Sequence, residues 1–382
     1  MGNIWAIYGL SITMLFFVAV LFSFYLFVVK QNGVKASYVN SKKKYNQFSP
    51  TIKFLLWTAI FLIIIGFWMP FLLTRDAFIK ELDFTNTGAI GDTFGGILNP
   101  FVGLSAVIVT GLAFYMQYQA NQQIQDQFKI QRIESQFYEM LKLHKDNVNE
   151  IEITNEDNSK IIFKGRNAFT LFKMEFEMFL EMLDKSGDQF NDKNFDLLFR
   201  LFFVGNYEGL IIMIEEKMPN FHKRFKNSQP RCILEDDDEL YFNIDEEYAR
   251  FYKTYNIWPN LGYTGYLGHY YRHLYQMVSF IVKKYSEEVL DYDGAMNYLK
   301  ILRAQLSNDE QVLLFYNWIA GFDGNGFGKN WENDKNKFFT EFLMLHNLPY
   351  GELFDNDYIK GKIQLLRDVK VMKREGNLFE WD

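Results

Sequence analysis

Three apolar segments, each long enough to cross a bilayer, fill the first third of this 382-residue chain, and a polar helical remainder of different composition follows. The first, Ile4 to Val29, carries no charge for 26 residues. At ~1.5 Å per helical residue it exceeds the ~30 Å hydrocarbon core of a membrane. The second runs from Phe54 to Leu73, with Pro70 near its end. The third lies in the uncharged stretch from Thr93 to Gln125, where Asn99 and Pro100 suit a helix cap and a first helical position. These patterns predict spans at about 4–29, 54–73 and 97–116, together a membrane domain over 1–116. A re-entrant or buried helix is the alternative for the third segment, which is rich in Gly, Ser and Thr. A cleaved signal peptide is not expected, because the first run is too long and no Lys or Arg precedes it.

Lysine placement predicts the orientation, because short loops rich in Lys and Arg stay in the cytoplasm. The first connection holds Lys30, Lys35, Lys42, Lys43, Lys44 and Lys53 and no acidic residue, whereas Thr74 to Asp92 mixes two basic with four acidic residues. The amino terminus is therefore expected outside, the second loop outside and everything after the third span in the cytoplasm.

The whole chain has 40 basic and 47 acidic residues. Eight basic and four acidic ones precede Gln117, so the remainder carries a formal charge of −11, and nucleic acid is disfavoured as a partner. The single cysteine, Cys232, excludes an intrachain disulfide and a cysteine-rich zinc site. From Gln117 to Ile151, Ile124, Phe128, Ile133, Phe137, Met140, Leu141, His144 and Val148 recur at helical spacing. They predict one long amphipathic connecting helix over 117–151. Its stripe would either pair subunits into a homo-oligomer or pack on its own domain.

Beyond a polar break at Thr154 to Lys160, helical faces return: Phe169, Phe172, Phe176, Phe179, Leu180 and Leu183, then Phe195, Leu198, Phe199, Phe202 and Phe203. Asp291 to Leu306, Asp309 to Ala320 and Asp334 to Asn347 read as further helices. The expected fold class is all-α, three transmembrane helices followed by a helical cytoplasmic domain over 152–382.

Standard catalytic signatures fail: no Gly-x-x-x-x-Gly-Lys-Ser/Thr, His-Glu-x-x-His or Gly-x-Ser-x-Gly occurs, nor an Arg followed five to seven positions later by His, as in many helical ribonucleases. Asp323 to Gly328 resembles a calcium loop with Asp334 at its twelfth position, but Phe327 stands at the fifth, so a flexible turn is the expectation. The acidic run Glu235 to Glu239 with Asp245, Glu246 and Glu247 reads as a solvated loop.

The richest block is Tyr263 to Tyr275, with Leu302 to Glu310 downstream. On a helix, His269 and His273 would share a face, but two histidines without a third ligand do not make a metal site, and neither metal nor cofactor is expected. The candidate catalytic residues are His269, Arg272, His273, Arg303 and Glu310, with Tyr271, Tyr275, Gln305 and Ser307 as ligand or network partners. Arg offers a bidentate phosphate clamp and His titrates near neutral pH. The structural alternative is a buried network in which Arg272, Arg303 and Glu310 satisfy one another between helices.

Gly91-Asp92-x-Phe94-Gly95, then Asn99-Pro100, the glutamine-rich helix, Gly268 to Tyr275 and Leu302 to Ser307 stand in this order from about Gly88 to about Leu348. Together they resemble the phage abortive infection proteins described as AbiC-like. The resemblance implies bacterial antiphage defence and supplies no established reaction. A cytoplasmic sensor of a phage-derived trigger, coupled to a membrane-disrupting effector in the bacterial inner membrane, is the expected mechanism. The lipid bilayer is then the partner of the first domain. The membrane motif would be Gly91, Asp92, Phe94, Gly95, Asn99, Pro100 and Gly103, joined by Gly96, Ser105, Thr110 and Gly111, whose small or polar side chains let helices approach or line a path. The alternative is a membrane-tethered nuclease or other hydrolase using the Arg272 and Arg303 cluster.

Overall fold

The computed structural model describes residues 50–73, 90–154, 160–228, 250–251, 262–321, 328–371 and 376–382. The apolar segment 4–29, the lysine-rich loop up to Gln47, the acidic run, Cys232 and Asp323 to Phe327 lie outside the described residues. The chain divides into two compact units, one ending at Lys129 and one beginning at Ile130.

In the first unit, helix α1 (Pro50–Leu73) opens on a proline, whose missing N–H has no intrahelical acceptor to lose there. Helix α2 (Ile90–Asn149) is 60 residues long and begins before Asn99, so Pro100 lies inside the helix. The expected start at Asn99 and Pro100 is thus corrected: the chain tolerates a proline that removes one backbone hydrogen bond, at a site where such a residue bends or strains a helix. Within this unit α1 and α2 approach closely through small residues. A Cβ at Gly66 would lie 2.9 Å from Cβ of Phe101. The buried Ser105 hydroxyl donates to the Phe101 carbonyl at 2.7 Å and lies 3.3 Å from that of Ala59. Gly95, Gly96, Gly103 and Gly111 face no neighbour that a Cβ would meet.

One helix among the described residues, Gly95–Asn149, is long and apolar enough to cross a membrane. Only 11% of its most apolar window is buried, unlike the core helix of a soluble domain. Of the three expected spans, this is the one that the described residues show; the first, 4–29, lies outside them. Helix α1 is 24 residues long, and its sequence stays apolar from Phe54 to Leu73.

The second unit is mostly helical. The end of α2 leads into a two-stranded antiparallel hairpin, β1 (Glu152–Thr154) and β2 (Ile161–Lys164), which pairs Ile153 with Phe163. The sequence reading had only a polar break there, because strands of three and four residues are too short to show a period. Helices α3 (Asn167–Ser186), α4 (Asp192–Val204), α5 (Glu208–Lys217) and α6 (Pro219–Ser228) follow, then α7 (Thr264–Ser286), α8 (Tyr292–Arg303), α9 (Asn308–Ala320) and α10 (Asp357–Asp368).

The expected phenylalanine faces of α3 and α4 form the core, with Phe169, Phe172, Phe176, Phe195 and Phe199 fully buried. Phe176 meets Phe195 and Phe199 edge-on at 5.4 and 5.3 Å, the arrangement that aromatic quadrupoles favour. Every residue of α9 from Glu310 to Ala320 is buried, as befits a helix apolar on all sides. Local chemistry sets the helix ends. Asn191 and Asp291 cap α4 and α8 by accepting from Asn194 and Gly294 N–H, and Gly187, in the left-handed region, ends α3.

Two expectations meet the structure differently. The second half of the α2 stripe packs within its own unit: Phe137 is fully buried and meets Tyr298 edge-on at 5.2 Å, while Ile124 and Phe128 stay exposed. The helix expected over Asp334 to Asn347 is a series of turns. Glu332 accepts from Phe339 N–H, Thr340 N–H and the Thr340 hydroxyl at 3.0, 3.1 and 2.6 Å, and Asn333 accepts from Lys335 and Asn336 N–H. These side chains take the amide groups that a helix would pair internally.

Candidate functional site

Four separated parts of the second unit converge on one buried polar cluster. Helix α2 supplies His144, α7 supplies Tyr270 and His273, α9 supplies Glu310, and the turn after β2 supplies Arg166. The hairpin places Arg166: Gly165, at φ +58°, donates to the Ile151 carbonyl at 2.7 Å and turns the chain back against the end of α2. Glu310 is fixed by a capping box, in which Ser307 N–H donates to Oε2 at 2.5 Å while Glu310 N–H donates to the Ser307 hydroxyl at 3.3 Å.

The His144 ring stacks on His273, with centroids 5.7 Å apart and planes 10° from parallel, and lies 5.0 Å from the Tyr270 ring. Arg166 Nε is 3.3 Å from Glu310 Oε2, and its Nη2 donates to the Gln305 carbonyl at 2.6 Å. Five buried atoms of this cluster have no hydrogen-bond partner among the described residues: both ring nitrogens of His144, Nδ1 of His273, the Tyr270 hydroxyl and Oε1 of Glu310. The Tyr270 hydroxyl and the Glu310 carboxylate are close enough to interact electrostatically without meeting in full hydrogen-bond geometry. Buried polar atoms left unpaired are costly, so their concentration at one place makes it the candidate site.

Charge states follow from burial. Burial, then the neighbouring His273 and Arg166, lowers the His144 imidazole to about 4; this residue lies beyond the apolar part of α2. Burial lowers His273 as well. Burial raises the Glu310 carboxyl, against the stabilising hydrogen bonds of Ser307 and the charge of Arg166. Burial, followed by Glu310, raises the Tyr270 phenol well above its ordinary value. A neutral imidazole beside an acid with a raised pKa can exchange a proton with a bound molecule, and Arg166, with about half its side chain exposed, can meet an anion.

Two cavities flank the His144 and Tyr270 pair. One, of about 260 Å³, is lined by His144, Lys142, Lys145, Arg166, Gln305 and Tyr138 among others. The other, of about 230 Å³, is lined by Tyr270, His269, Tyr266, Asn147 and Glu150 among others.

The candidates named from sequence fall in several places. His273 and Glu310 join the cluster, Gln305 and Ser307 hold its edge, and His269 is exposed at the second cavity. Arg272 is exposed on α7 and forms no ion pair among the described residues. Arg303 is buried and spends Nη1 on the Leu343 carbonyl at 2.7 Å, with burial lowering its pKa. The expected mutual network of Arg272, Arg303 and Glu310 is therefore not formed, because the partner of Glu310 is Arg166. Tyr271 donates to the Leu313 carbonyl at 3.1 Å, and Tyr275 accepts from Asn336 at 3.2 Å while meeting Trp331 edge-on at 5.5 Å. Both serve packing.

Gly91, Asp92, Phe94, Gly95, Asn99, Pro100 and Gly103 all lie in the first turns of α2 in the first unit. No group of three His, Cys, Asp or Glu residues among the described residues could hold a metal ion. His144, Arg166 and Tyr270 had not been singled out from sequence as site residues. The sequence carries a signal for two of them, a titratable imidazole inside an otherwise apolar stripe at His144 and the aromatic block around Tyr270; Arg166 carries none.

No curated protein and no solved structure matches this chain. Residues 262–353, about a quarter of the chain and the stretch that contributes Tyr270, His273, Ser307 and Glu310, match the model of a family described as "Putative phage abortive infection protein", the family that the sequence motifs resemble.

Proposed function

We propose that this protein acts in bacterial antiphage defence by abortive infection, as an inner-membrane protein whose second unit is a cytoplasmic sensor and whose first unit is the effector. The observation that carries the reading is α2, a single helix that holds both the candidate membrane span and His144 of the buried cluster. A phage-derived trigger that supplies partners to the unsatisfied atoms of the cluster would change the packing of His144 on His273 and Tyr270. Because His144 is covalently part of α2, that change bears on the apolar part of the same helix, whose disturbance compromises the membrane barrier. Retention of the lysine-rich first loop inside supports a cytoplasmic second unit when both α1 and the apolar part of α2 cross the bilayer. Pairing with a second copy of the chain would draw on the part of the stripe left exposed, Ile124 and Phe128.

A membrane-tethered hydrolase or nuclease is the second reading, favoured by the juxtaposition of a neutral His144 with a Glu310 of raised pKa beside Arg166. A time course in infected cells carrying the gene separates the two. Early collapse of a membrane-potential dye signal with intact total RNA supports the membrane effector. RNA fragmentation ahead of any loss of potential replaces it with the hydrolase.

A further inference from the structure

The cavity of about 260 Å³ beside His144 has a lining at odds with the charge of its unit. The chain from Gln117 onward carries a formal charge of −11, yet Lys142, Lys145 and Arg166 converge here and no carboxylate lines the space. Lys142 and Lys145 stand three residues apart on α2, hence on one helical face, where two like charges favour an anion placed between them. Neither forms an ion pair among the described residues. Arg166 engages the Glu310 carboxylate through Nε at 3.3 Å and the Gln305 carbonyl through Nη2 at 2.6 Å, which leaves Nη1 and the second Nη2 hydrogen for a ligand.

A second, independent observation points into the same space. His144 is 4% exposed, lines the cavity, and has no partner for either ring nitrogen. A neutral imidazole offers one donor and one acceptor, so a ligand that satisfies it must present both kinds of group. The remaining walls, Leu141, Val148 and the Tyr138 ring, are apolar or aromatic and suit a ring or hydrocarbon part better than a bare ion. The volume is close to the ~300 Å³ at which small-molecule pockets begin and suits a ligand of that size.

We propose that this cavity binds a small phosphate monoester of mononucleotide size, its phosphate held by Lys142, Lys145 and Arg166, its ring against Tyr138, and His144 as the buried hydrogen-bonding partner. The proposal rests on the sensing role argued above and names the chemical class of the trigger. Arg166 supplies its remaining guanidinium N–H groups and the lysines supply point charges, a common division of labour at phosphates.

The test uses the full chain in detergent, titrated calorimetrically at low ionic strength with adenosine monophosphate, inorganic phosphate and adenosine. Saturable binding in the order adenosine monophosphate, phosphate, adenosine is expected. The double variant Lys142→Ala with Lys145→Ala should weaken the monophosphate at least tenfold while circular dichroism and melting temperature stay unchanged, because both side chains are exposed. No binding by the native chain, adenosine binding as tightly as its monophosphate, or a folded double variant that binds undiminished overturns the site. Phage protection is scored in parallel. A double variant that loses binding and protection supports the ligand as trigger, and one that loses binding but still protects overturns that role. Absence of protection by the native gene beside intact binding removes the antiphage reading and leaves the site standing.

Discussion

At the scale of residues, the buried His144 and the half-buried Glu177 set opposite pH dependences. His144 has a folded pKa of about 4, below the ordinary 6.5, so the unfolded chain binds more protons between those values. Stability then rises with pH across this window and is lost as pH falls from 6.5 towards 4, by up to about 3 kcal/mol. His144→Gln should flatten that acid limb, read as urea midpoints at pH 7 and pH 5. An unchanged difference between the two midpoints would show that the imidazole is not held neutral. Glu177 behaves the other way. Burial, opposed by Lys173 and by the Tyr316 hydroxyl that donates to it at 3.2 Å, raises its carboxyl from 4.5 to about 7. The folded state binds the extra proton, so stability falls as pH rises from 4.5 through 7. Glu177→Gln keeps the acceptor for Tyr316 and removes the charge. It should stabilise the protein at pH 8 by about 1–3 kcal/mol and have little effect at pH 4.5, which thermal melts at the two pH values would check.

Elements show what the pattern of apolar residues can and cannot specify. The stripe on α2 was legible as a helix, but the spacing alone did not say which part packs at home. Phe137 is fully buried against Tyr298 and Tyr138, whereas Phe128, nine residues earlier, is 61% exposed. Phe137→Glu should therefore cost several kcal/mol by burying an unpaired charge, seen as a large drop in melting temperature, while Phe128→Glu stays within about 0.5 kcal/mol. Equal effects of the two would contradict the burial difference. The core faces of α3, α4 and α9 were readable because long helices repeat their apolar positions several times. Phe338, Phe339, Phe342 and Leu345 repeat similarly, yet Glu332 captures the amides of Phe339 and Thr340 and Leu343 sits at φ +57°, so the segment forms turns. The close approach of Gly328, whose added Cβ would lie 2.0 Å from the Asn317 carbonyl, explains one glycine of the calcium-like motif as a packing requirement with α9. The buried cluster was hidden for another reason. Its members stand at positions 144, 166, 270, 273 and 310, and apart from Tyr270 and His273 on one helix no local spacing links them before the chain folds.

For the whole molecule, the orientation in the membrane decides whether the polar second unit meets phage components in the cytoplasm. Six lysines and no carboxylate lie between Lys30 and Lys53, while the segment from Thr74 to Asp92 holds two basic and four acidic residues. If both α1 and the apolar part of α2 cross the bilayer, retention of the first loop on the cytoplasmic side puts Asp83 outside and Glu150, just past the end of α2, inside. A periplasm-active reporter fused after Asp83 should work and one fused after Glu150 should fail, with a cytoplasm-active reporter giving the opposite result. Replacing Lys42, Lys43 and Lys44 by Gln should weaken the contrast, since the retained charge is the cause of the orientation. Export of the Glu150 fusion would place the His144 cluster on the outer face, where no cytoplasmic trigger reaches it, and the sensor reading would fail with the topology.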